Sequence, residues 1–136
     1  MTSVFLDTSY ILALNLSNDQ HHTQAQQHWQ TLTLALPLLV TTSYVFDEAI
    51  TFFKSRDRHL KAVEIGTLLL TSPSVQLIQV ERDLFQEGWE YLNQRPDKTY
   101  SLTDCISFKV MEKMKITTAL TFDHHFTQAG FDTQPR

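Results

Sequence analysis

The sequence predicts an α/β protein with a mainly parallel central sheet. Short apolar segments with strand character alternate with longer segments whose apolar residues have helical spacing. Such alternation is typical of crossover units that join parallel strands. The 136-residue chain has an ordinary hydrophobic fraction of 42% and no evident repeat, linker or low-complexity stretch. We therefore expect a single domain with one core over residues 1–136.

Each strand is predicted from a short apolar or β-branched segment bounded by polar residues. The predicted strands are Ser3–Leu6, Leu38–Thr42, Val75–Val80 and Thr118–Thr121. Phe131 and its neighbours can add a short strand at the edge of the sheet.

The helices are predicted from apolar residues at helical spacing and from signals at the helix ends. The first predicted helix begins near Tyr10 with Thr8 or Ser9 as its cap, the second runs from Thr23 until Pro37, and the third starts at Thr42 or Ser43. The remaining four cover Leu60–Leu70, Glu81–Gln94, Ser101–Met114 and a short segment from Asp123 to Gly130. We expect the core to include Trp29, Phe52, Phe53, Leu84, Phe85, Trp89 and Leu92.

Composition restricts the function classes. A net charge of −4 argues against a protein that only coats nucleic acid, because such proteins are normally basic. No apolar run approaches the roughly 20 residues that span a bilayer, and the N-terminus has no basic signal region. The single cysteine, Cys105, cannot form an internal disulfide and is compatible with a cytoplasmic location, which we expect.

Four acidic residues carry the functional prediction: Asp7, Glu48, Asp104 and Asp123. The first and last follow predicted strands, and the other two lie early in helices. The carboxyl ends of parallel strands meet at one edge of the sheet, where ligands bind. Two carboxylates at 4 Å repel each other by about 4 kcal/mol at an effective dielectric near 20. We therefore predict Mg²⁺ or Mn²⁺ between them, and raised carboxylate pKa values from repulsion when the metal is absent.

Each acid also has a purely structural explanation. Asp7 could be a turn residue, and Asp123 could be an N-cap. Glu48 could be a solvated helix residue, and Asp104 has the spacing of a capping box. The helical spacing does not decide between Asp47 and Glu48, which lie on opposite sides of the apolar stripe. Only the joint position of the four acids favours a metal site.

Other chemistries find little support in the sequence. The three glycines are isolated, so they predict no phosphate-binding loop. Cys105 lies in an apolar helix beside an acid, which disfavours a nucleophilic thiol. The pairs His21–His22 and His124–His125 do not predict a zinc site, because adjacent residues on a helix do not share a face.

The sequence resembles the PIN domain family, and within it the VapC-type toxins. Leu6–Ser9 resembles the opening strand with its first acid. Glu48 matches the glutamate of the helix after the second strand, so the resemblance favours Glu48 over Asp47. The most specific match is Tyr100–Phe108, followed at the usual distance by Leu120–Phe126. The likeness covers nearly the whole chain, and no acid of the pattern is missing.

The resemblance implies a PIN-like three-layer fold, with about five mainly parallel strands wrapped by helices. It also implies a metal-dependent endoribonuclease that is the toxin of a type II toxin–antitoxin pair, restrained by a cognate antitoxin protein and often homodimeric. We expect one or two ions to activate water against a phosphodiester. Asp7 and Asp104 are the expected direct ligands, and Glu48 and Asp123 would bind directly or through water. Three hydroxyl residues lie beside the acids, namely Thr8, Ser9 and Thr121. They would orient the carboxylates, or else serve only in helix capping or strand packing.

Alternative functions stay open from the sequence alone. A PIN-like RNA-binding or regulatory module without catalysis would need no metal. A haloacid-dehalogenase-type phosphatase needs a second aspartate two residues after the first, where this chain has Ser9. Lys54, Arg56 and Arg58 follow the helix of Glu48, and they form either a solvated face or a contact with RNA phosphates.

Overall fold

A computed structural model describes residues 2–136 and confirms the α/β prediction. Within these residues five strands form one fully parallel sheet in the order β3-β2-β1-β4-β5. The strands are Ser3–Leu6 (β1), Leu38–Thr42 (β2), Val75–Ile78 (β3), Thr118–Leu120 (β4) and Asp132–Gln134 (β5). The last of them is the edge strand expected near Phe131.

The strand order defines where a ligand can bind. From β1 the chain adds β2 and β3 on one side, and it then returns to place β4 and β5 on the other side. Val4 of β1 is in register with Leu39 of β2, and Phe5 with Ala119 of β4. The switch point therefore lies between β1 and β4, and open α/β sheets bind ligands beyond the carboxyl ends of the strands at such a point.

Seven α-helices occur in the described part of the chain. They are Thr8–Asn15 (α1), His22–Leu32 (α2), Ser43–Ser55 (α3), His59–Thr71 (α4), Arg82–Asn93 (α5), Leu102–Met114 (α6) and His125–Gln128 (α7). A 3₁₀ turn over Thr33–Ala35 follows α2, and Leu36 is then extended, as expected for a residue before proline. None of the helices within residues 2–136 has the length and apolar character needed to cross a bilayer.

The start of α1 corrects one prediction. Neither Thr8 nor Ser9 is the cap, because Asp7 is itself the N-cap with extended backbone, and its side chain accepts the Ser9 backbone N–H. The helix therefore begins at Thr8, earlier than expected. At two of the other predicted starts the caps are as expected: Thr42 caps α3, and Ser101 forms a full capping box with Asp104.

The core lies on both faces of the sheet, but α5 contributes less to it than predicted. Phe85 and Trp89 are 43% and 49% exposed, so the prediction that they face inward is wrong. The only buried residue of α5 is Gly88, which packs against Ile106 of α6. Trp89 points about 100° around the helix from Gly88, and it therefore turns away from this close contact.

Strand β3 is also shorter than predicted. It ends at Ile78 and not at Val80. The Val80 backbone N–H donates to the Ser43 hydroxyl at 2.9 Å. This bond directs the chain away from the sheet ladder and toward the start of α3.

Candidate active site

All four predicted acids line one open cavity of about 320 Å³. Asp7 follows β1, Asp123 lies three residues after β4, Glu48 belongs to α3, and Asp104 lies in the first turn of α6. The cavity thus lies at the carboxyl edge of the sheet, beside the switch point. Its other lining residues are Thr8, Ser9, Leu12, Thr99, Ser101 and His125.

Asp7 is the most buried of the four acids, with 4% of its surface exposed. Its Oδ2 atom accepts hydrogen bonds from the hydroxyls of Ser9 and Thr121, each at 2.8 Å. Burial raises the pKa of Asp7 to about 6. The two hydrogen bonds lower this pKa, and the negative charges of Asp104 and Asp123 raise it further. Repulsion was the predicted cause of such a rise, but removal of the carboxylate from water is the larger cause.

Asp104 is held by the start of its own helix and by a histidine. Its Oδ2 accepts the Ser101 backbone N–H at 3.1 Å and lies 2.9 Å from His125 Nδ1. Burial raises the pKa of Asp104; the Ser101 hydrogen bond lowers it, the charge of Asp123 raises it, and His125 lowers it. A carboxylate in this position needs a donor, so His125 donates through Nδ1, and its Nε2 faces the Thr99 hydroxyl at 3.1 Å.

Sequence reasoning did not identify His125 as part of this cavity. The ring is largely buried, with 15% of its side chain exposed, and Nδ1 also lies 3.2 Å from Asp123 Oδ1. Its backbone N–H donates to the same Asp123 oxygen at 2.9 Å. The usable signal was its position two residues after Asp123, where an Asx-type turn brings a side chain back toward the acid.

Glu48 and Asp123 are the more accessible members of the set. Glu48 is exposed, and its Oε1 accepts the Thr8 hydroxyl at 2.8 Å. Asp47, the other candidate on this helix, does not line the acidic cavity; its carboxylate accepts the Thr51 hydroxyl at 3.4 Å. The Asp123 backbone N–H donates to Thr121 Oγ1 at 2.9 Å.

Each of the three hydroxyl residues contacts an acid of the set. Thr8 holds Glu48, while Ser9 and Thr121 hold the same oxygen of Asp7. Ser9 Oγ also accepts the Phe122 backbone N–H at 2.9 Å, which ties the start of α1 to the end of β4. Ser9 occupies the position of a phosphatase acid, and its contacts are those of a residue that orients Asp7.

The free oxygens of this cavity fit a hard divalent cation. Within residues 2–136, the Oδ1 atoms of Asp7 and Asp104 accept no hydrogen bond, and no fully buried side-chain oxygen lacks a partner. The unengaged oxygens are therefore accessible from the cavity. Carboxylate oxygens are the ligands that Mg²⁺ and Mn²⁺ prefer.

A smaller group of possible metal ligands lies beside the cavity and contains a histidine pair. One ligand atom each of Asp123, His124 and His125 lies within 4.8 Å of the other two. The prediction that these adjacent histidines cannot share a site is wrong, because His124 precedes α7 and only His125 is within it. His124 has 73% of its side chain exposed, whereas His125 already binds Asp104. The acidic cavity is consequently the better defined site.

The predicted basic residues do not form one cluster. Arg56 and Arg58 line a separate cavity beyond the far end of α1. Lys54 is outside it, with Nζ 3.0 Å from His59 Nδ1. Cys105 is fully buried, and burial raises its thiol pKa to about 11, which disfavours the thiolate that a nucleophile would need.

Comparison with known proteins decides the family. The PIN domain model matches residues 4–132. The chain belongs to the PIN domain family. The resemblance recognised in the opening strand and in the two acidic blocks is thereby confirmed.

Relatives of similar length include a characterised endonuclease. Over 128 residues the chain is 34% identical to the 23S rRNA-specific endonuclease VapC20 of Mycobacterium tuberculosis strains H37Rv and CDC 1551, an alignment that covers 94% of this chain and 95% of that protein. The crystal structure of M. tuberculosis VapC20, a sarcin–ricin loop-cleaving toxin, matches with a TM-score of 0.85 and 33% identity, covering 94% of this chain and 95% of that chain. A toxin–antitoxin complex from Klebsiella pneumoniae matches with a TM-score of 0.60 and 14% identity, over 89% of this chain and 87% of that chain. That last likeness concerns the fold alone.

Proposed function

We propose that this chain is a metal-dependent endoribonuclease and the toxin of a type II toxin–antitoxin pair. The main support is the meeting of four carboxylates, from distant parts of the chain, in one open cavity at the switch point of the sheet. A PIN domain protein 34% identical over nearly the whole length is named a 23S rRNA-specific endonuclease. The chemistry of the cavity and the activity of the relative therefore point to the same reaction.

The side chains of the cavity have distinct roles in this proposal. One or two Mg²⁺ or Mn²⁺ ions supply the hydrolytic chemistry when bound, by lowering the pKa of a water molecule and stabilising charge on the leaving oxygen. Asp7 and Asp104 bind metal through their unengaged Oδ1 atoms, while hydrogen bonds to Oδ2 fix each carboxylate. Glu48 and Asp123 bind directly or through water, and Thr8 keeps Glu48 directed into the cavity.

The proposed substrate is structured ribosomal RNA. The solved relative at 33% identity is a sarcin–ricin loop-cleaving toxin, so a stem-loop of that kind is the first substrate to test. A cognate antitoxin that covers the acidic cavity, a homodimeric state and a cytoplasmic location belong to the same proposal. These three proposals rest on the family resemblance and on the description of the solved relative as a toxin. We also propose that residues 1–136 form one domain.

The test is cleavage of a sarcin–ricin stem-loop RNA with Mg²⁺, Mn²⁺ or EDTA, beside a DNA oligonucleotide of the same sequence. The wild-type chain should cut RNA only when a divalent ion is present. Asp7→Asn and Asp104→Asn should each abolish cleavage, because each removes a proposed ligand. Asp83→Asn is the matched control, since Asp83 is an exposed residue of α5 outside the cavity and its substitution removes the same charge.

Full cleavage by both cavity variants would reject the assignment of the acids. A Mn²⁺ titration of the same proteins separates a nuclease from a non-catalytic module. The wild type should bind Mn²⁺ and the two cavity variants should bind it much more weakly, whereas an RNA-binding module need not bind the ion. Turnover of a small phosphomonoester with RNA left intact would instead support a phosphatase.

A further inference from the structure

The acidic cavity borders a row of further cavities beside α1 and α3. It shares Thr8, Leu12 and Glu48 with a second cavity of about 410 Å³, which extends to Phe52 and Ser55. Phe52 in turn borders a third cavity of about 600 Å³, whose lining includes Leu16, Asp19, Arg56 and Arg58. We call these three neighbouring cavities, each of which shares lining residues with the next, the α1–α3 groove.

Helix geometry explains why the three cavities follow one another. On α1, Thr8 and Leu12 are four residues apart, and Leu16 at the end of the helix follows after four more, so all three lie on one face. On α3, Glu48 and Phe52 have the same spacing. With a rise of 1.5 Å per residue, the groove extends about 12 Å from Glu48 to Arg56. At 3.4 Å per stacked nucleotide, this corresponds to about three nucleotides of one strand.

The far end of the groove carries two free cations and a flat surface. The Arg56 guanidinium carbon lies 3.6 Å from the centroid of the Phe52 ring. Among residues 2–136, no carboxylate lies within 4.0 Å of the charged nitrogens of Arg56 or Arg58. Asp19 lines the same cavity, but its Oδ1 accepts the His21 backbone N–H. An anion with a planar group is the ligand that this combination fits.

We propose that the α1–α3 groove holds a single strand of the RNA substrate, with Arg56 and Arg58 contacting a phosphate and the Phe52–Arg56 stack supporting a base about three nucleotides from the scissile bond. The inference rests on the proposed function, because the strand must reach the acidic cavity. Asp47 and Glu48 line the middle of the groove and repel an RNA strand there as they would an acidic peptide, so the attraction must come from the bound cation at one end and from the two arginines at the other. An RNA strand would place its cleaved phosphate at the metal end and another of its phosphates at the arginines.

Lys54 provides a matched control for charge. It is exposed and lies only two residues before Arg56, but its ammonium group is outside the groove and close to His59. Long-range attraction of RNA would weaken by the same amount when either cation is removed. Direct contact in the groove predicts an effect of Arg56 and none of Lys54.

The experiment measures binding of fluorescent single-stranded RNAs by anisotropy in the Asp7→Asn background, over a range of salt concentrations. Arg56→Gln and Arg58→Gln should each weaken binding several-fold and should reduce the salt slope of log K by about 0.7, the value for one phosphate on a single strand. Arg56→Lys should keep the salt slope but lose affinity, because the stack on Phe52 is removed. Lys54→Gln should change neither quantity. A nested set of shorter RNAs should lose the Arg56 effect once the strand no longer reaches the far end.

Equal effects of Lys54→Gln and Arg56→Gln would overturn the inference, since they would indicate general attraction only. Unchanged RNA binding in both arginine variants would also overturn it and would leave the arginines available for a protein partner. Because anisotropy requires no cleavage, failure of the proposed function is recognised separately, by an uncut stem-loop in the assay with Mg²⁺. Thermal melting of each variant confirms that the fold is intact.

Discussion

Replacing Asp7 by asparagine should stabilise the metal-free protein at neutral pH while it removes a proposed metal ligand. Asparagine has nearly the same shape, and its side-chain oxygen can accept the hydroxyls of Ser9 and Thr121 as the carboxylate does. What it lacks is the buried negative charge. The expected gain can be estimated from the pKa of Asp7.

Burial raises this pKa from 3.8 to about 6, which corresponds to about 3 kcal/mol at roughly 1.4 kcal/mol per pKa unit. Between these two values the folded protein keeps a proton on Asp7 that the unfolded chain has released. The free energy of unfolding of the wild type therefore falls as the pH rises through this window. Below it the carboxyl group is protonated in both states, so wild type and variant should have equal stability. Above it, Asp7→Asn should be more stable by about 3 kcal/mol, or about 10 °C in melting temperature.

The assay is urea unfolding in EDTA at several pH values on either side of the window. Asp47→Asn serves as the control, because it changes the same charge at an exposed position on α3. Its stability should follow that of the wild type at every pH. Addition of Mn²⁺ should then stabilise the wild type and not Asp7→Asn. If Asp7→Asn and the wild type differ by a constant amount across the pH range, the burial argument is wrong.

Three further predictions concern individual contacts. His125→Ala should weaken Mn²⁺ binding by about 10- to 100-fold, because Asp104 loses its side-chain donor. His125→Asn should restore part of the affinity. Equal Mn²⁺ titration curves for the wild type and both variants would contradict this role of His125. Gly88→Ala should cost about 1–3 kcal/mol in urea unfolding, because the added Cβ would lie 2.5 Å from the Ile106 side chain; an unchanged midpoint would show that α5 can shift at no cost. Cys105, buried with its pKa raised to about 11, should resist iodoacetamide near neutral pH until the chain unfolds; rapid labelling of the folded protein would contradict its burial.

The sequence predicted the elements well because most of their signals are local. Strand composition, helical spacing and caps such as Ser101 depend on residues close together in the chain. The errors arose where a distant contact decides. Trp89 belongs to an apolar stripe, but the approach of Gly88 to α6 turns it outward. Val80 continues a strand pattern, but its N–H is taken by Ser43.

The candidate site shows the same division. Asp7, Asp104 and Asp123 could be selected because their positions relative to strand and helix ends are readable from the chain, whereas Glu48 was preferred to Asp47 only through the family resemblance. The burial of Asp7 could not be predicted from the sequence. Repulsion between carboxylates was therefore expected to be the main cause of its raised pKa, whereas burial is the larger cause. The contact of His125 with Asp104 joins residues 21 positions apart. The separation of Lys54 from Arg56 and Arg58 likewise depends on how α3, α4 and the α1–α2 loop pack.

The structural and functional explanations of the acids are not alternatives in this fold. Asp7 caps α1 through Oδ2, and Asp104 completes a capping box through the same type of oxygen. Each carboxylate has two oxygens, so one can satisfy a helix N-terminus while the other remains free for a cation. The start of a helix also favours negative charge, which partly offsets the cost of burying the acid. A carboxylate at a helix start beside the switch point is thus held rigidly by the fold and still presents one oxygen to the cavity, which is why the capping pattern at Asp104 is no evidence against a metal-binding role.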